Sequence, residues 1–261
     1  MGRTQLTFER RELKYVLDDE MRRRLERACA AHMVPDEHGD STVRSVYLDT
    51  PSLEIARTCE EHPTYREKLR LRAYGEPQAG EPVFLELKKK LGGVVYKRRV
   101  QTSQQVALEL VGGARPPANQ IEREIAAAAR RHEGIGPIAY LAYDRCAFYE
   151  QGNRDLRMTY DRRVRVRWDM PSLDVTNGTE QLLEDGLSVL EIKTSRALPG
   201  WLVYAISSLG LRQQRWSKYG TACRVRGFDT PVYGTAPLAA PSGTQVERTL
   251  RPAIALANVR S

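Results

Sequence analysis

The stretch from Lys68 to Tyr74, "KLRLRAY", alternates cations with apolar or small residues, and the alternation recurs along the chain. A strand turns successive side chains to opposite faces, so Lys68, Arg70 and Arg72 share one side while Leu69, Leu71 and Ala73 share the other. In "VFLELKKK", Glu86, Lys88 and Lys90 oppose Leu85 and Leu87; in "VVYKRRV", Lys97 and Arg99 oppose Tyr96, Arg98 and Val100. Glu12 and Lys14 oppose Leu13 and Tyr15, Arg157, Thr159 and Asp161 oppose Leu156, Met158 and Tyr160, and Glu191 and Lys193 oppose Leu190 and Ile192. Such a sheet must hide its apolar face, and its charged face is left for water or for a ligand.

Helical segments supply a cover. "DDEMRRRLERACAAHM" places Met21, Leu25, Cys29 and Met33 at spacing four behind Asp18 or Asp19 as a cap. "PSLEIARTCEE" has Pro at its first turn, and "SQQVALELVGG", "NQIEREIAAAARRH" and "GWLVYAISSLG" are further helices. Amphipathic helices need an apolar surface, and the apolar strand faces offer one. If helices wrap the outside, the charged faces turn inward; an ordinary one-sided sheet with a wet outer face is the alternative. Glycine turns between successive strands favour an α+β antiparallel architecture over βαβ repeats. Residues 1–228 form the expected domain. The Pro/Gly/Ala-rich residues 229–261 are expected to be a tail or arm, with "VERTLRPAIALANV" as a short helix.

Lys and Arg outnumber Asp and Glu by 41 to 33 over the 261 residues, a net charge of +8 that suits an anionic partner. On the alternating faces Lys14, Lys68, Arg70, Arg72, Lys88, Lys97, Arg99, Arg157 and Lys193 meet only Glu12, Glu86, Asp161 and Glu191. Like charges ~6 Å apart repel by roughly 0.7 kcal/mol in bulk water and several-fold more in a cavity, so enclosed cations call for a polyanion. Glu191, Glu12 and Glu86 suit a hard divalent ion, Mn²⁺ or Mg²⁺, although a salt bridge serves Glu12 and Glu86 equally well.

Cys29, Cys59, Cys146 and Cys223 are scattered without zinc spacing and read as free thiols. The charged N-terminus, the failed myristoylation pattern and the lack of a long apolar run lead to an expectation of a soluble, cytoplasmic protein. There is no G-x-x-x-x-G-K-[ST] loop. Phe and Trp number only 4 and 3, too few for stacking platforms on single strands, so no nucleic-acid partner is expected.

Taken in order, "ERRELKY", "VYLDT", "KLRLRAYG", "VFLELKKKLGGVVYKRRV", "YDRCAFY", "LRMTYDR", "LEIK" and "RWSKY" resemble the VTC-type polyphosphate polymerase domain, within the triphosphate tunnel metalloenzyme (CYTH-like) superfamily. The resemblance runs from about residue 6 to 224 and implies an eight-stranded antiparallel tunnel barrel with a charged lumen and helices outside. It implies transfer of the ATP γ-phosphate to a growing polyphosphate chain, with release of ADP and with Mn²⁺ or Mg²⁺. By motif it assigns phosphate contacts to Lys14, Arg70, Arg72, Lys88, Lys97, Arg157, Ser217 and Lys218, with Arg215, Arg145 and Arg99 as further lining residues. Glu191 in "LEIK" matches the metal-binding glutamate. ATP and polyphosphate are the implied partners, with a separate membrane protein as a weaker expectation. The superfamily's hydrolases begin E-x-E-x-K, whereas this frame reads Arg10-Arg11-Glu12-Leu13-Lys14. The missing first glutamate favours the polymerase branch over a hydrolase or cyclase of the same fold, or a non-catalytic polyanion binder.

Overall fold

A computed structural model describes residues 11–230 apart from His38, His62, Ala79 and Gly93. In chain order the elements are β1 (Arg11–Asp18), α1 (Asp19–Cys29), β2 (Met33–Pro35), β3 (Ser41–Asp49), α2 (Glu54–Glu60), β4 (Tyr65–Tyr74), β5 (Val83–Leu91), β6 (Val94–Thr102), α3 (Gln104–Val111) and α4 (Gln120–Ala129). They continue with β7 (Gly136–Glu150), β8 (Asn153–Arg167), β9 (Glu180–Gln181), β10 (Leu187–Thr194), α5 (Gly200–Ser208) and α6 (Lys218–Arg226). The expected tail, including its helix, lies outside the described residues except for Asp229 and Thr230.

All strands join one antiparallel sheet in the order β1-β10-β8-β7-β3-β4-β5-β6, with β2 paired to β7 and β9 to β8. The α+β antiparallel class is therefore correct, and the closed eight-stranded barrel is not. The sheet has 10 strands, and β1 and β6 are the two ends of its main path. One reason lies at β1, whose outer edge is already used: the Gln214 N–H donates to the Lys14 carbonyl at 2.8 Å. The sheet nevertheless curls far enough for its remote strands to meet. Lys88 of β5 reaches Glu12 of β1 at 3.6 Å.

The helices pack on the apolar strand faces, as their patterning requires. Leu69, Leu71, Leu85 and Leu87 lie in one core with Leu110 of α3 and Ile125 of α4. Tyr15, Leu17, Met158, Leu190 and Ile192 lie in another with Leu25 of α1 and Leu202 of α5. Asp18 caps α1, accepting from the Met21 N–H at 2.7 Å. The helix stops at Cys29, and Met33 opens the short strand β2 instead of continuing the spacing-four stripe.

The entry to α2 differs from the sequence expectation. Pro51 precedes the helix, and its N-cap position is Leu53, in the left-handed region at φ 58° with no side-chain cap. Asp49 at the end of β3 does the capping. Its carboxylate accepts from Thr50, Ile55 and Ala56 N–H groups at 2.7, 2.8 and 3.0 Å. The same carboxylate accepts from the Tyr219 hydroxyl at 2.8 Å, which ties α6 to the sheet. Not every buried cation belongs to a ligand face. Arg44, on the helix-covered side of β3, donates to the Gly75 and Leu173 carbonyls and pairs with Glu81 at 2.6 Å.

Candidate polyanion-binding face

The register explains why one face is charged. Ser45 of β3 is opposite Arg72 and Tyr47 opposite Arg70. Arg70 is opposite Glu86, and Lys68 opposite Lys88; Glu86 is opposite Arg99, and Lys88 opposite Lys97. Across the other half, Lys14 is opposite Glu191, and Glu12 opposite Lys193; Glu191 is in turn opposite Thr159, and Lys193 opposite Arg157. Because partners in register share a face, these residues all line the side away from the helix-covered cores, and the curl makes that side concave.

Each carboxylate on this face is surrounded by cations. Arg70 grips Glu86 with its Nε and Nη2 at 2.8 and 2.6 Å, while Arg99 Nε and Arg72 Nη1 stand 3.3 and 3.8 Å away. Three guanidinium groups hold Glu86 below the usual carboxylate range despite its burial. In this arrangement Glu86 is a salt-bridge partner of three arginines.

Lys14 bridges the other two glutamates, lying 2.9 Å from Glu12 and 4.0 Å from Glu191, and Lys193 contacts Glu191. Burial and the neighbouring Glu191 raise the Glu12 pKa, but Lys88, Lys14 and Lys193 bring it down to about 2. Glu191, with only 8% of its side chain exposed, is likewise raised by burial and carried well below the usual range by Lys193, Lys14, Lys218 and Arg145.

Asp161 is fully buried at 0% and takes a two-pronged contact from Arg145, Nε to Oδ1 at 2.7 Å and Nη2 to Oδ2 at 2.8 Å. Lys218, the first residue of α6, contacts the same carboxylate and lies 4.3 Å from the Tyr143 ring centroid. Ser217 caps α6 and accepts from Lys68 Nζ at 2.9 Å. The segment before α6 thus brings the Ser-Lys pair of "RWSKY" to the strand cations. Arg157 is held by Asp36 at 3.1 Å. Arg215 is exposed and makes no ion pair among the described residues.

Cation crowding has two chemical consequences. Desolvation together with Lys193, Lys88 and Arg70 lowers Lys97 to about 8, with Glu12 opposing part of the effect. Burial raises the Tyr47 phenol, but Arg70, Lys68 and Arg72 outweigh it and bring the pKa to about 8; Arg70 Nη1 donates to the Tyr47 oxygen at 3.2 Å. Tyr47 and Tyr143 were not singled out by sequence reasoning. The alternation of "SVYLD" against "KLRLR" could have placed Tyr47 on the charged face.

The divalent ion that the resemblance implies asks for hard oxygen ligands. Among the described residues, no group of three or more His, Cys, Asp or Glu side chains is arranged to hold a metal ion. Glu12 and Glu191, both held as carboxylates, form a pair of oxygen donors on the adjacent strands β1 and β10. That donor set fits Mg²⁺ or Mn²⁺ if phosphate oxygens supply the remaining ligands.

Fold and site together define an α+β protein whose concave antiparallel sheet presents excess positive charge. Residues 9–226 match the VTC domain, and the chain belongs to that family. No curated protein sequence matches it. Among solved structures it is similar to the PH1819 protein of Pyrococcus horikoshii OT3, at 13% identity over 83% of this chain and 98% of that one, with a TM-score of 0.43. It is also similar to proposed adenylate cyclases from Vibrio parahaemolyticus (11% identity, 84% and 99% covered, TM-score 0.45) and Bacillus halodurans (14%, 79% and 92%, 0.45). At these identities and scores no activity is transferred from them. Among the described residues no helix is long and apolar enough to cross a membrane.

Proposed function

We propose that this chain is a metal-dependent polyphosphate polymerase: it transfers the γ-phosphate of ATP to the end of a polyphosphate chain and releases ADP. The concave cationic face carries the reading. Cations outnumber carboxylates there, and the ion pair between Glu12 and Lys88 shows that opposite parts of the curled sheet face one another. On this reading the sheet forms the wall of a triphosphate tunnel, and membership of the VTC domain family supports it.

Phosphoryl transfer needs in-line placement and neutralisation of charge on the moving group. Arg70, Arg72, Lys88 and Arg157 would serve the transferring group; Lys14, Lys97, Lys193 and Lys218 would hold the flanking phosphates. Arg145 and Arg99 would line the same face, paired with Asp161 and Glu86 respectively. A divalent ion held by Glu191 with Glu12 would neutralise phosphate oxygens when bound. The nucleophile is a terminal phosphate oxygen already ionised at neutral pH, so the chain's own residues bind and orient without a general base.

The purified protein incubated with ATP and Mn²⁺, its products resolved by gel, is expected to yield long-chain polyphosphate and ADP. Orthophosphate or cyclic nucleotide in place of polyphosphate would overturn the polymerase assignment in favour of a hydrolase or cyclase. ATP binding without turnover would point to a polyanion-binding module.

A further inference from the structure

Two polar atoms on the concave side of β8 lack hydrogen-bond partners among the described residues: Thr159 Oγ1 and Arg157 Nε. Both atoms are buried, and Thr159 as a whole is only 1% exposed. A buried donor left unpaired is destabilising, and valine would fill the same place in a strand without that cost. A hydroxyl kept there therefore points to a ligand that uses it. The surroundings identify the ligand's charge. Thr159 is opposite Glu191, and Arg157 opposite Lys193; the ammonium groups of Lys14 and Lys193 rest on the Glu191 carboxylate. Those ammonium groups ride on flexible stems and are free to transfer to an incoming anion.

We infer that Thr159 is a substrate-contacting residue. Its hydroxyl donates to a phosphoryl oxygen of the bound triphosphate, while Arg157 Nε–H serves a neighbouring phosphoryl group ~6.6–7 Å along the same strand face. Asp36, on the far side of the Arg157 guanidinium at 3.1 Å, is a positioning residue that leaves Nε free to turn toward the ligand. The inference rests on the phosphoryl-transfer reading and adds to it a neutral donor beside the cations.

Tripolyphosphate binding by calorimetry, with EDTA present to remove metal, tests the assignment without any turnover. Thr159→Val should weaken binding about 10- to 100-fold, the loss typical of a hydrogen bond to a charged group, and should leave the melting temperature unchanged or raised. Thr159→Ser should bind like the wild type. Wild-type affinity in Thr159→Val, while Arg70→Ala is weakened, overturns this inference and leaves the phosphoryl-transfer reading standing. Equal loss in both Thr159 variants with lowered melting temperatures makes the residue structural and also overturns it. A wild-type protein that does not bind tripolyphosphate removes both.

Discussion

Replacing Asp161 by Asn tests the electrostatic logic of the concave face most directly. The carboxylate is fully buried, and both Arg145 and Lys218 contact it. Removing one partner of a buried charge cluster costs about 3–5 kcal/mol, because the remaining charges stay desolvated without compensation. Asparagine keeps one accepting oxygen, so the lower end of that range applies. For a domain of this size each kcal/mol moves the melting temperature by about 2–4 °C, giving an expected loss of about 6–12 °C. Thermal unfolding followed by circular dichroism measures the loss. Tripolyphosphate stabilises whatever it binds by mass action, and in the variant it also supplies the missing negative charge to Arg145 and Lys218. The gap between wild type and variant should therefore narrow when it is added.

The pH dependence has a definite sign. Burial raises the Asp161 pKa, but Lys218 and Arg145 outweigh it and hold the group below the ordinary aspartate range. A depressed folded-state pKa contributes stability that is present above the unfolded value and is lost as pH falls through the folded value. Wild type should lose this contribution on acidification below the ordinary aspartate range, and Asp161→Asn should have none to lose. A variant that melts within about 2 °C of wild type, or a gap that tripolyphosphate leaves unchanged, would refute the claim that this carboxylate balances a ligand-facing cation cluster.

Glu191→Gln should abolish metal-dependent turnover while circular dichroism remains native; undiminished activity would remove Glu191 from the metal site. Arg70→Ala and Arg72→Ala should each weaken tripolyphosphate binding by about 10-fold or more, since each deletes a charged donor, and unchanged affinity in both would place the cations outside the binding face. Lys97 titrates at about 8 in the free chain. An arriving polyanion raises that value, so binding near pH 8–9 should take up protons, measured by calorimetry in buffers of different ionisation enthalpy. Lys97→Met should reduce that uptake, leaving the share taken up by Tyr47, whose phenol the same cations bring to about 8. Leu85→Ala, at a position 0% exposed between the sheet and its outer helices, should cost about 2–5 kcal/mol in urea unfolding.

Local pattern alone settled which residues share a face. "KLRLRAY" has only two faces, and Leu69 and Leu71 had to lie together whatever the sheet became. Because α1, α3 and α4 carry apolar stripes, the sequence also indicated that the leucine faces would be covered and the cations left on the other side. The family motifs supplied candidate roles for those cations, and the fold sets Ser217 beside Lys68 and Lys218 beside Asp161.

Tertiary structure decided the partners. That Glu86 is gripped by arginines while Glu12 and Glu191 share Lys14 follows from strand order and curl, which join residues far apart in the chain and leave no local trace. The unclosed path from β1 to β6 and the two short strands were equally invisible, since pairing depends on which edges meet after collapse. Arg44 shows the same division. Its charge is plain in the sequence, but only packing beneath the Leu173 loop makes it a structural cation instead of a ligand-facing one. Side-chain period is a property of a single strand. Charge compensation belongs to the folded sheet.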